Sequence, residues 1–268
     1  MVSLREVLAK AIEDRQVTAV IIADGEGIVS GTAAVQGATE ELGLTLHSIL
    51  EEGSTLKEGE EIARFNCSPA QIAIAEENLI GLLAKPSGVA TAARAFVKAA
   101  GKKPKVVCSA WRKMPPAERE AIRQALTTGG ALQSVTADPA VYLDRNDIEM
   151  LGGIGQGIEA VREEAEGKAI VVQIQGRHAS ILKEAMEAVE CGASIVFVDT
   201  GVQLDVMEVA YELEREGLRK KVKVAFGGNI SLKDLRKLKG QDIDILDVGN
   251  EIADAPLLEM HLEIASIA

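Results

Sequence analysis

The sequence predicts an α/β protein in which a small N-terminal domain precedes a parallel sheet, either a (β/α) barrel or a doubly wound sheet. Its 268 residues fit two domains or one large barrel. The composition, with 47% apolar and 26% charged residues, is typical of a well-packed soluble α/β protein. From about Val106, short β-branched runs alternate with amphipathic stretches, as strands and crossover helices do in a parallel sheet.

The first hundred residues have a different pattern, in which glycine-containing turns separate short apolar runs. AVIIADGEGIVSGTAAV and SILEEGSTLKEGEEIARF predict a small sheet. AQIAIAEENLIGLLA and GVATAARAFVKAA predict two helices from their apolar spacing, and the polar stretch GKKPK (101–105) predicts a linker. We therefore place one domain at 1–105 and a second at 106–268, with the last ~18 residues packing back on the first domain.

Six β-branched apolar runs predict the strands of the second domain. They are VVCSA (106–110), VYL (141–143), AIVVQIQ (169–175), SIVFVD (194–199), VKVAF (222–226) and IDILDV (243–248). Between them lie PAEREAIRQAL, GIGQGIEAVREEA, ASILKEAMEAVE, LDVMEVAYELERE and SLKDLRKLK, which have apolar residues at helical spacing. In a barrel and in a doubly wound sheet alike, ligands bind at the carboxyl ends of the strands.

Charged residues and glycines follow several of these strands and should share that edge. Arg112 offers a planar guanidinium and Lys113 a point charge, both suited to phosphate or carboxylate. Asp199 is a hard-cation ligand type, and an acid at this position equally serves as a helix N-cap. Two glycine loops could cradle a phosphate with backbone N–H groups. The loops contain Gly227, Gly228, Asn229, Gly249 and Asn250.

Charge and cysteine usage limit the partners and the compartment. The net charge of −12 argues against nucleic acid, because phosphate backbones are bound by clustered Lys and Arg. Three cysteines without C-x-x-C spacing indicate neither a disulfide framework nor a zinc site. The segment SLREVLAKAIEDR (3–15) lacks the apolar centre of a signal peptide, and no run is long enough to span a membrane. We expect a cytoplasmic protein.

Eight motifs occur in the order and spacing of the quinolinate phosphoribosyltransferase family, which the chain resembles nearly end to end. DGEGIVSG, EEGSTLKEGEEIARFNCSP and AEENLIGLLAKPSGVAT are similar to its N-terminal segments. WRKMPPAER resembles its TRKTxPGxR loop, GGALQS its GGgxxHR, FVDT its LLDN, AFGGNIS its SGGI, and DVGNEIADAPLLEMHLEI its C-terminal segment.

This resemblance implies an N-terminal α/β sandwich domain and an incomplete (β/α) barrel of about six strands. It implies transfer of phosphoribosyl from phosphoribosyl pyrophosphate to the nitrogen of a pyridine-like base, quinolinate in the family, with Mg²⁺ as cofactor. Arg112 and Lys113 fall on catalytic cations of the family, and Asp199 on its magnesium-associated carboxylate. The family's shared active site implies a homodimer, in which Glu76, Glu77 and the AKPSGVAT segment face the partner's barrel mouth.

The sequence departs from the family in the pocket for the base. Cationic positions of the family fall on Glu77, Ser134, Val135 and Asp144, with Arg145 one position displaced, and its paired glutamates fall on Gln173 and Gln175. A carboxylate facing another carboxylate is destabilised unless a proton or cation intervenes. We therefore expect a neutral, singly charged or cationic heterocycle to suit this pocket better than quinolinate, a dicarboxylate.

Two other functions stay open at this point. One is a non-catalytic relative that binds phosphate or a nucleotide, and the other is an unrelated (β/α)-barrel enzyme such as an aldolase or sugar-phosphate isomerase. A Schiff-base aldolase needs a lysine that points into the barrel. In the predicted strands the candidate is Lys223.

Overall fold

The chain divides into two compact units, which a computed structural model describes over residues 14–136 and 139–268. The first unit comprises the described residues up to Ala95, with Met114–Gly130 and Asp254–Ala268, and the second comprises Phe96–Lys113 and Ala131–Ala253. The division into domains at 1–105 and 106–268 stays a prediction, and residues 3–13 of the segment SLREVLAKAIEDR lie outside the described part.

The first unit is built on a four-stranded antiparallel sheet. Its strand order is β12-β1-β5-β3, with a separate two-stranded pair β2-β4. The strands are β1 (Val17–Ala23), β2 (Gly27–Ile28), β3 (Thr45–Ile49), β4 (Thr55–Leu56), β5 (Glu61–Cys67) and β12 (Met260–Ile267). Ile21 on β1 pairs with Leu262 on one side and Ala63 on the other, so the end of the chain completes this sheet.

Three helices belong wholly or mainly to this unit: α1 (Thr32–Glu41), α2 (Ile72–Ala100) and α3 (Arg119–Gly129). Leu79 and Leu83 of α2 are fully buried in one core with Ile21 and Phe65 of the sheet. A sheet that carries its apolar face against a helix satisfies the burial requirement of both elements. The fold predicted for this part, a small α/β sandwich, is therefore confirmed.

The prediction of two helices in residues 70–100 is wrong, because α2 runs unbroken through Pro86. Proline removes one helical N–H and so leaves the carbonyl of residue i−4, here Leu82, without its usual donor. The chain brings Gly31 against that carbonyl, so closely that a Cβ built on Gly31 would lie 2.1 Å from the Leu82 oxygen. A glycine with φ of 99° fits there, and the helix continues.

Glu52 caps the amino end of α1 from a distant part of the sequence. Its carboxylate accepts hydrogen bonds from the backbone N–H of Gly31 at 2.9 Å and of Thr32 at 3.1 Å. The hydroxyls of Ser30, Thr32 and Thr128 donate to it as well. Partial burial acts to raise the pKa of Glu52, but the hydrogen bonds from Ser30, Thr128 and Thr32 outweigh it, so the pKa is lowered.

The second unit is built on a six-stranded parallel sheet in the order β6-β11-β10-β9-β8-β7. The strands are β6 (Lys105–Val107), β7 (Ala140–Leu143), β8 (Ala169–Ile174), β9 (Ile195–Val198), β10 (Lys223–Gly227) and β11 (Ile245–Asp247). Val107 of one edge strand and Ala140 of the other pack in the same cluster with Phe197 from the middle. The sheet is therefore curved into an incomplete barrel, as predicted.

Helices follow the strands of this barrel, as the right-handed crossover of parallel strands requires. They are α4 (Arg145–Leu151), α5 (Ile154–Ala160), α6 (Ile181–Cys191), α7 (Gln203–Arg215), α8 (Leu232–Leu238) and α9 (Asn250–Ala253). All six predicted strands are present within one to three residues of the predicted bounds. The exception in detail is VVCSA, where the strand ends at Val107 and Ser109–Lys113 form a 3-10 turn. Within the described residues, no helix has the length and apolarity to cross a bilayer.

Candidate functional site

The inner face of the barrel changes from apolar to polar toward the carboxyl ends of its strands. Side chains alternate between the two faces of a strand, so Val171 and Gln173 share a face, as do Ile245 and Asp247. The buried interior contains Val171 and Ile245. The next inward residue on each of these strands is polar and lines a cavity, which is the mouth of the barrel.

This mouth has two connected lobes. The larger, of about 560 Å³, is lined by Ser109, Arg112, Lys113, Ser134, Val135, Thr136, Ala140, Tyr142, Asp144, Gln173, Phe197 and Asp247. The smaller, of about 260 Å³, shares Lys113, Tyr142, Gln173 and Asp247 and extends to the glycine loops. Together they have the volume of a site for a drug-sized ligand.

Most of the predicted site residues meet in this mouth. Arg112, Lys113, Ser134, Asp144 and Gln173 line the larger lobe, and Asp199, Gly227, Gly228, Asn229, Gly249 and Asn250 line the smaller. Arg145 and Gln175 line a minor cavity together with Gln173. Glu77 lies on the exposed face of α2 in the first unit and is not among the residues lining these cavities. The sequence therefore located the mouth, and the pocket position assigned to Glu77 stays a prediction.

Arg112 and Lys113 lie in the 3-10 turn directly after β6. The guanidinium of Arg112 stacks over the Trp111 ring at 4.9 Å from its centroid. The indole N–H of Trp111 in turn donates to the carbonyl of Gln133 at 2.9 Å. A guanidinium that already stacks on an anchored ring loses less conformational entropy when it binds an anion. Arg112 is therefore held ready to bind phosphate or carboxylate.

Two glutamine side chains hold Asp199 at the end of β9. The amide of Gln173 donates to Asp199 Oδ2, and the amide of Gln175 donates to the same oxygen at 3.1 Å. Gln173 Oε1 accepts the backbone N–H of Arg145 at 3.1 Å, which fixes the orientation of this amide. Gln173 and Gln175 therefore position Asp199 as a carboxylate in the mouth.

The loop after β8 that carries Gln175 is fixed by a buried acid. Glu184, 3% exposed, accepts the backbone N–H groups of Gln175 at 3.1 Å, Gly176 at 2.7 Å and His178 at 2.9 Å. A carboxylate saturated by backbone donors makes a loop rigid. The loop thus presents Gln175 to Asp199 in one arrangement.

Asp247, at the end of β11, is a mouth residue that the sequence analysis missed. It is 6% exposed, and its carboxylate accepts the backbone N–H of Ser109 at 3.0 Å and the Ser109 hydroxyl. Desolvation is the largest influence on it and raises its pKa, with the negative charge of Asp199 acting in the same direction. Asp199 and Asp247 therefore both line the smaller lobe. The signal in the sequence was the acid at the end of IDILDV, one position before Val248.

Tyr142 is the second residue missed, and it forms an aromatic wall with Phe197. Their rings meet edge to face, with centroids 6.5 Å apart and planes at 68°. Desolvation, and then the charges of Asp199 and Asp247, raise the pKa of Tyr142 well above its usual value, so its hydroxyl remains a donor. Alternation along VYL from inward-facing Ala140 would have identified it.

Asp144 lines the larger lobe and also begins α4. Its Oδ1 accepts the backbone N–H of Asn146 at 2.7 Å and of Asp147 at 3.0 Å, while Asp147 accepts the N–H of Asp144 at 2.9 Å. This reciprocal capping box fixes the side chain at the edge of the cavity. A Lys at this position would lose the cap, so Asp144→Asn is the variant that changes charge alone.

The glycine loops of the smaller lobe have backbone conformations that need glycine. Gly228 has φ of 115°, and a Cβ there would lie 2.6 Å from the Gly201 Cα. A Cβ on Gly227 would lie 2.7 Å from the Phe197 ring. A larger residue at Gly228 would thus disturb the loop itself, so it does not test phosphate binding. At Gly249, with φ of 71°, no heavy atom lies within 4 Å of an added Cβ.

Lys223, the candidate for a Schiff-base aldolase, is exposed at the first residue of β10. The mouth lies at the other end of the strands, so Lys223 does not reach it. Within the described residues there is no cluster of three or more His, Cys, Asp or Glu side chains of the kind that holds a structural metal. Asp199 and Asp247, which both line the smaller lobe, would be sufficient for Mg²⁺, because this ion usually takes one or two carboxylates together with substrate phosphates.

The sequence matches two family models. Residues 5–87 match the N-terminal domain of quinolinate phosphoribosyl transferase, and residues 89–263 match its C-terminal domain. The chain is 27% identical over 256 residues to the probable carboxylating nicotinate-nucleotide pyrophosphorylase of Archaeoglobus fulgidus, covering 95% of this chain and 96% of the relative. It is 27% identical over 248 residues to the carboxylating nicotinate-nucleotide pyrophosphorylase of Homo sapiens, covering 92% and 82%.

Solved structures show the same fold. The nicotinate-nucleotide pyrophosphorylase from Pyrococcus furiosus superposes with a TM-score of 0.83 at 22% identity, covering 98% of this chain and 74% of that one. The enzyme of that name from Francisella tularensis superposes with a TM-score of 0.82 at 20% identity, covering 96% and 89%.

Proposed function

The chain belongs to the quinolinate phosphoribosyltransferase family, and from this premise we propose that it transfers phosphoribosyl from phosphoribosyl pyrophosphate to the ring nitrogen of a pyridine-like base. The observation that carries the proposal is the two-lobed mouth, where cations, paired carboxylates and glycine loops meet. The nitrogen lone pair attacks ribose C1, the bond from C1 to the pyrophosphate oxygen breaks, and pyrophosphate leaves. Positive charge develops on the sugar and negative charge on the leaving group.

Arg112 and Lys113 would bind the leaving pyrophosphate. Both line the larger lobe, and Lys113 also lines the smaller, so a cation reaches each side of the point where the lobes join. Cations that meet the charge as it develops stabilise the transition state more than the ground state. The smaller lobe would take the ribose phosphate, with Gly228, Gly249 and their neighbours supplying backbone N–H groups.

Asp199 and Asp247 would hold Mg²⁺. The negative charge of Asp199 acts to raise the pKa of Asp247, which shows that the two acids repel each other. A cation held by both would reduce this repulsion. When bound, Mg²⁺ supplies charge neutralisation for the pyrophosphate. Gln173 and Gln175 keep Asp199 in place, and Ser109 does so for Asp247.

The test is pyrophosphate release from phosphoribosyl pyrophosphate with a panel of bases, with Mg²⁺ present, together with calorimetric binding of the donor. We expect Arg112→Ala to weaken donor binding about tenfold or more, since a charge-assisted contact is lost. Arg162→Ala is the matched control, because Arg162 is exposed and pairs with Glu159 away from the mouth; it should change binding less than twofold. Donor binding without turnover of any base would contradict the proposal.

The phosphate loops are tested by Gly249→Asn. Asn tolerates the left-handed backbone at Gly249, and space is open around it, so the fold should be kept while a side chain enters the smaller lobe. We expect weaker binding of inorganic phosphate and of the donor. Unchanged binding of both would show that the phosphate lies elsewhere.

We also propose that the protein acts as a homodimer, in which Glu76 and Glu77 lie at the interface. Both are exposed on α2. Of the AKPSGVAT segment, however, Ser87, Gly88, Val89 and Ala90 are buried within the chain and cannot face a partner. Sedimentation at micromolar concentration tests the dimer, and a monomer would contradict it.

A further inference from the structure

We propose that the base-binding lobe selects a planar aromatic heterocycle with at most one negative charge and discriminates against pyridine dicarboxylates. This inference rests on the proposed phosphoribosyl transfer and specifies its acceptor. It separates this chain from relatives whose names give quinolinate as the base, such as the quinolinate phosphoribosyltransferase of Nicotiana glauca.

The described charged side chains that line the larger lobe have no surplus of cations. Among the described residues that line it, Arg112 and Lys113 are cationic and Asp144 and Asp247 are anionic, so the charges sum to zero (2 − 2). A dianionic base would need a surplus of cations, because burying a charge without a partner is costly. A neutral or singly charged ring does not need that surplus.

The donor competes with the base for the cations Arg112 and Lys113. Phosphoribosyl pyrophosphate carries several negative charges of its own, and it must occupy the same mouth during the reaction. Asp199 adds a further carboxylate to the smaller lobe. With Arg112 and Lys113 bound to the donor and Asp247 to Mg²⁺, as proposed above, the charged side chain left to the base among the described lining residues is Asp144.

The capping box at the start of α4 holds Asp144 at the edge of the lobe. Its Oδ1 holds two backbone N–H groups of α4, and Asp147 holds its own N–H in return. Leaving the cavity would break this capping box, which is typically worth about 1 kcal/mol of stability, a factor of about five in population. The negative charge consequently stays at the edge of the lobe and repels an anionic ring substituent.

Most of the uncharged residues that line the larger lobe have aromatic, aliphatic or hydroxyl side chains. Tyr142 and Phe197 offer aromatic surface for a flat ring, and Val135 adds apolar surface. Ser134 and Thr136 offer hydroxyls, which recognise neutral polar substituents as well as they do a single carboxylate. This lining matches a heteroaromatic ring with one polar substituent.

The experiment compares three bases that share the pyridine ring and differ in charge: quinolinate (dianion), nicotinate (monoanion) and nicotinamide (neutral). With saturating phosphoribosyl pyrophosphate and Mg²⁺, kcat/KM is measured by pyrophosphate release, and release of CO2 is followed in parallel. We expect nicotinate or nicotinamide to exceed quinolinate by about tenfold or more. Their reactions should release pyrophosphate without CO2.

The variant is Asp144→Asn, which keeps the N-cap and removes the charge. We expect it to raise kcat/KM for quinolinate about fivefold relative to nicotinamide, most clearly at low salt. The control is Glu149→Gln, further along α4, whose side chain is 73% exposed and does not line the lobe; it should leave the ranking of bases unchanged.

Two outcomes overturn the inference and are distinguishable. If quinolinate is the best base and Asp144→Asn does not alter the ranking, the selectivity argument is wrong while phosphoribosyl transfer stands. If the donor does not bind and no base releases pyrophosphate, the proposed function fails and takes the inference with it.

Discussion

Gln173→Glu tests whether the glutamine amides are what keep Asp199 in place. In the protein, the Gln173 amide donates to Asp199 Oδ2 while its Oε1 accepts the N–H of Arg145. Glutamate would keep the second bond and place a carboxylate against a carboxylate. We expect the protein without Mg²⁺ to be destabilised, because a donor to a charged group is replaced by like charge.

The magnitude follows from the two contributions. A hydrogen bond to a charged group is worth about 1.5–3 kcal/mol. Two like charges about 4 Å apart repel by about 4 kcal/mol at an effective dielectric of about 20, and solvent in the open mouth together with proton uptake reduces this several-fold. With the repulsion reduced to about 1 kcal/mol, the total is about 2.5–4 kcal/mol, which would lower Tm by about 5–16 °C for a chain of this size. Millimolar Mg²⁺ should close much of this difference, since the cation binds between carboxylates.

Thermal unfolding of the parent, Gln173→Glu and Gln173→Leu, with and without Mg²⁺, is the assay. Gln173→Leu removes this hydrogen bond, and also the acceptor for the Arg145 N–H, without adding charge, so its loss of stability should be independent of Mg²⁺. Two results would refute the reasoning. One is that Gln173→Glu has the same Tm as the parent. The other is that Mg²⁺ raises the Tm of Gln173→Glu no more than it raises the Tm of Gln173→Leu.

Two further predictions concern the first unit. The lowered pKa of Glu52 means that its stabilising effect is present above the unfolded value of 4.5 and is lost as the pH falls through the folded value. In urea unfolding, Glu52→Gln should therefore cost about 1 kcal/mol at pH 7, discounted for exposure, and progressively less as the pH falls below 4.5, whereas Glu51→Gln should be neutral. Gly31→Ala should lower stability by about 3 kcal/mol or more, because its Cβ meets the Leu82 carbonyl at positive φ, whereas Gly37→Ala, in open space within α1, should raise it by about 0.5–1 kcal/mol. Equal effects of the two glycine substitutions would contradict the close approach of Gly31 to α2.

The sequence located the mouth of the barrel because strands have a period of two and parallel strands end at one edge. Arg112, Asp199 and Gly228 could be assigned to that edge from their position after apolar runs alone, and the structure brings them to one cavity. The period of two could also have identified Asp247 and Tyr142. They were missed because each lies within its strand, as an inward-facing residue, and not in the loop after it.

Other features depended on contacts between residues far apart in the chain. Pro86 reads locally as the end of a helix, yet α2 runs through it, and Gly31, some fifty residues earlier, packs against the freed Leu82 carbonyl. The fixing of Asp199 by Gln173 and Gln175 requires the register of β8 beside β9. Sequence periodicity determines which face a side chain takes and therefore where a site can form. The tertiary structure alone decides which donors reach a given carboxylate, because these distances join residues far apart in the chain. It decides in the same way whether a helix continues through a proline.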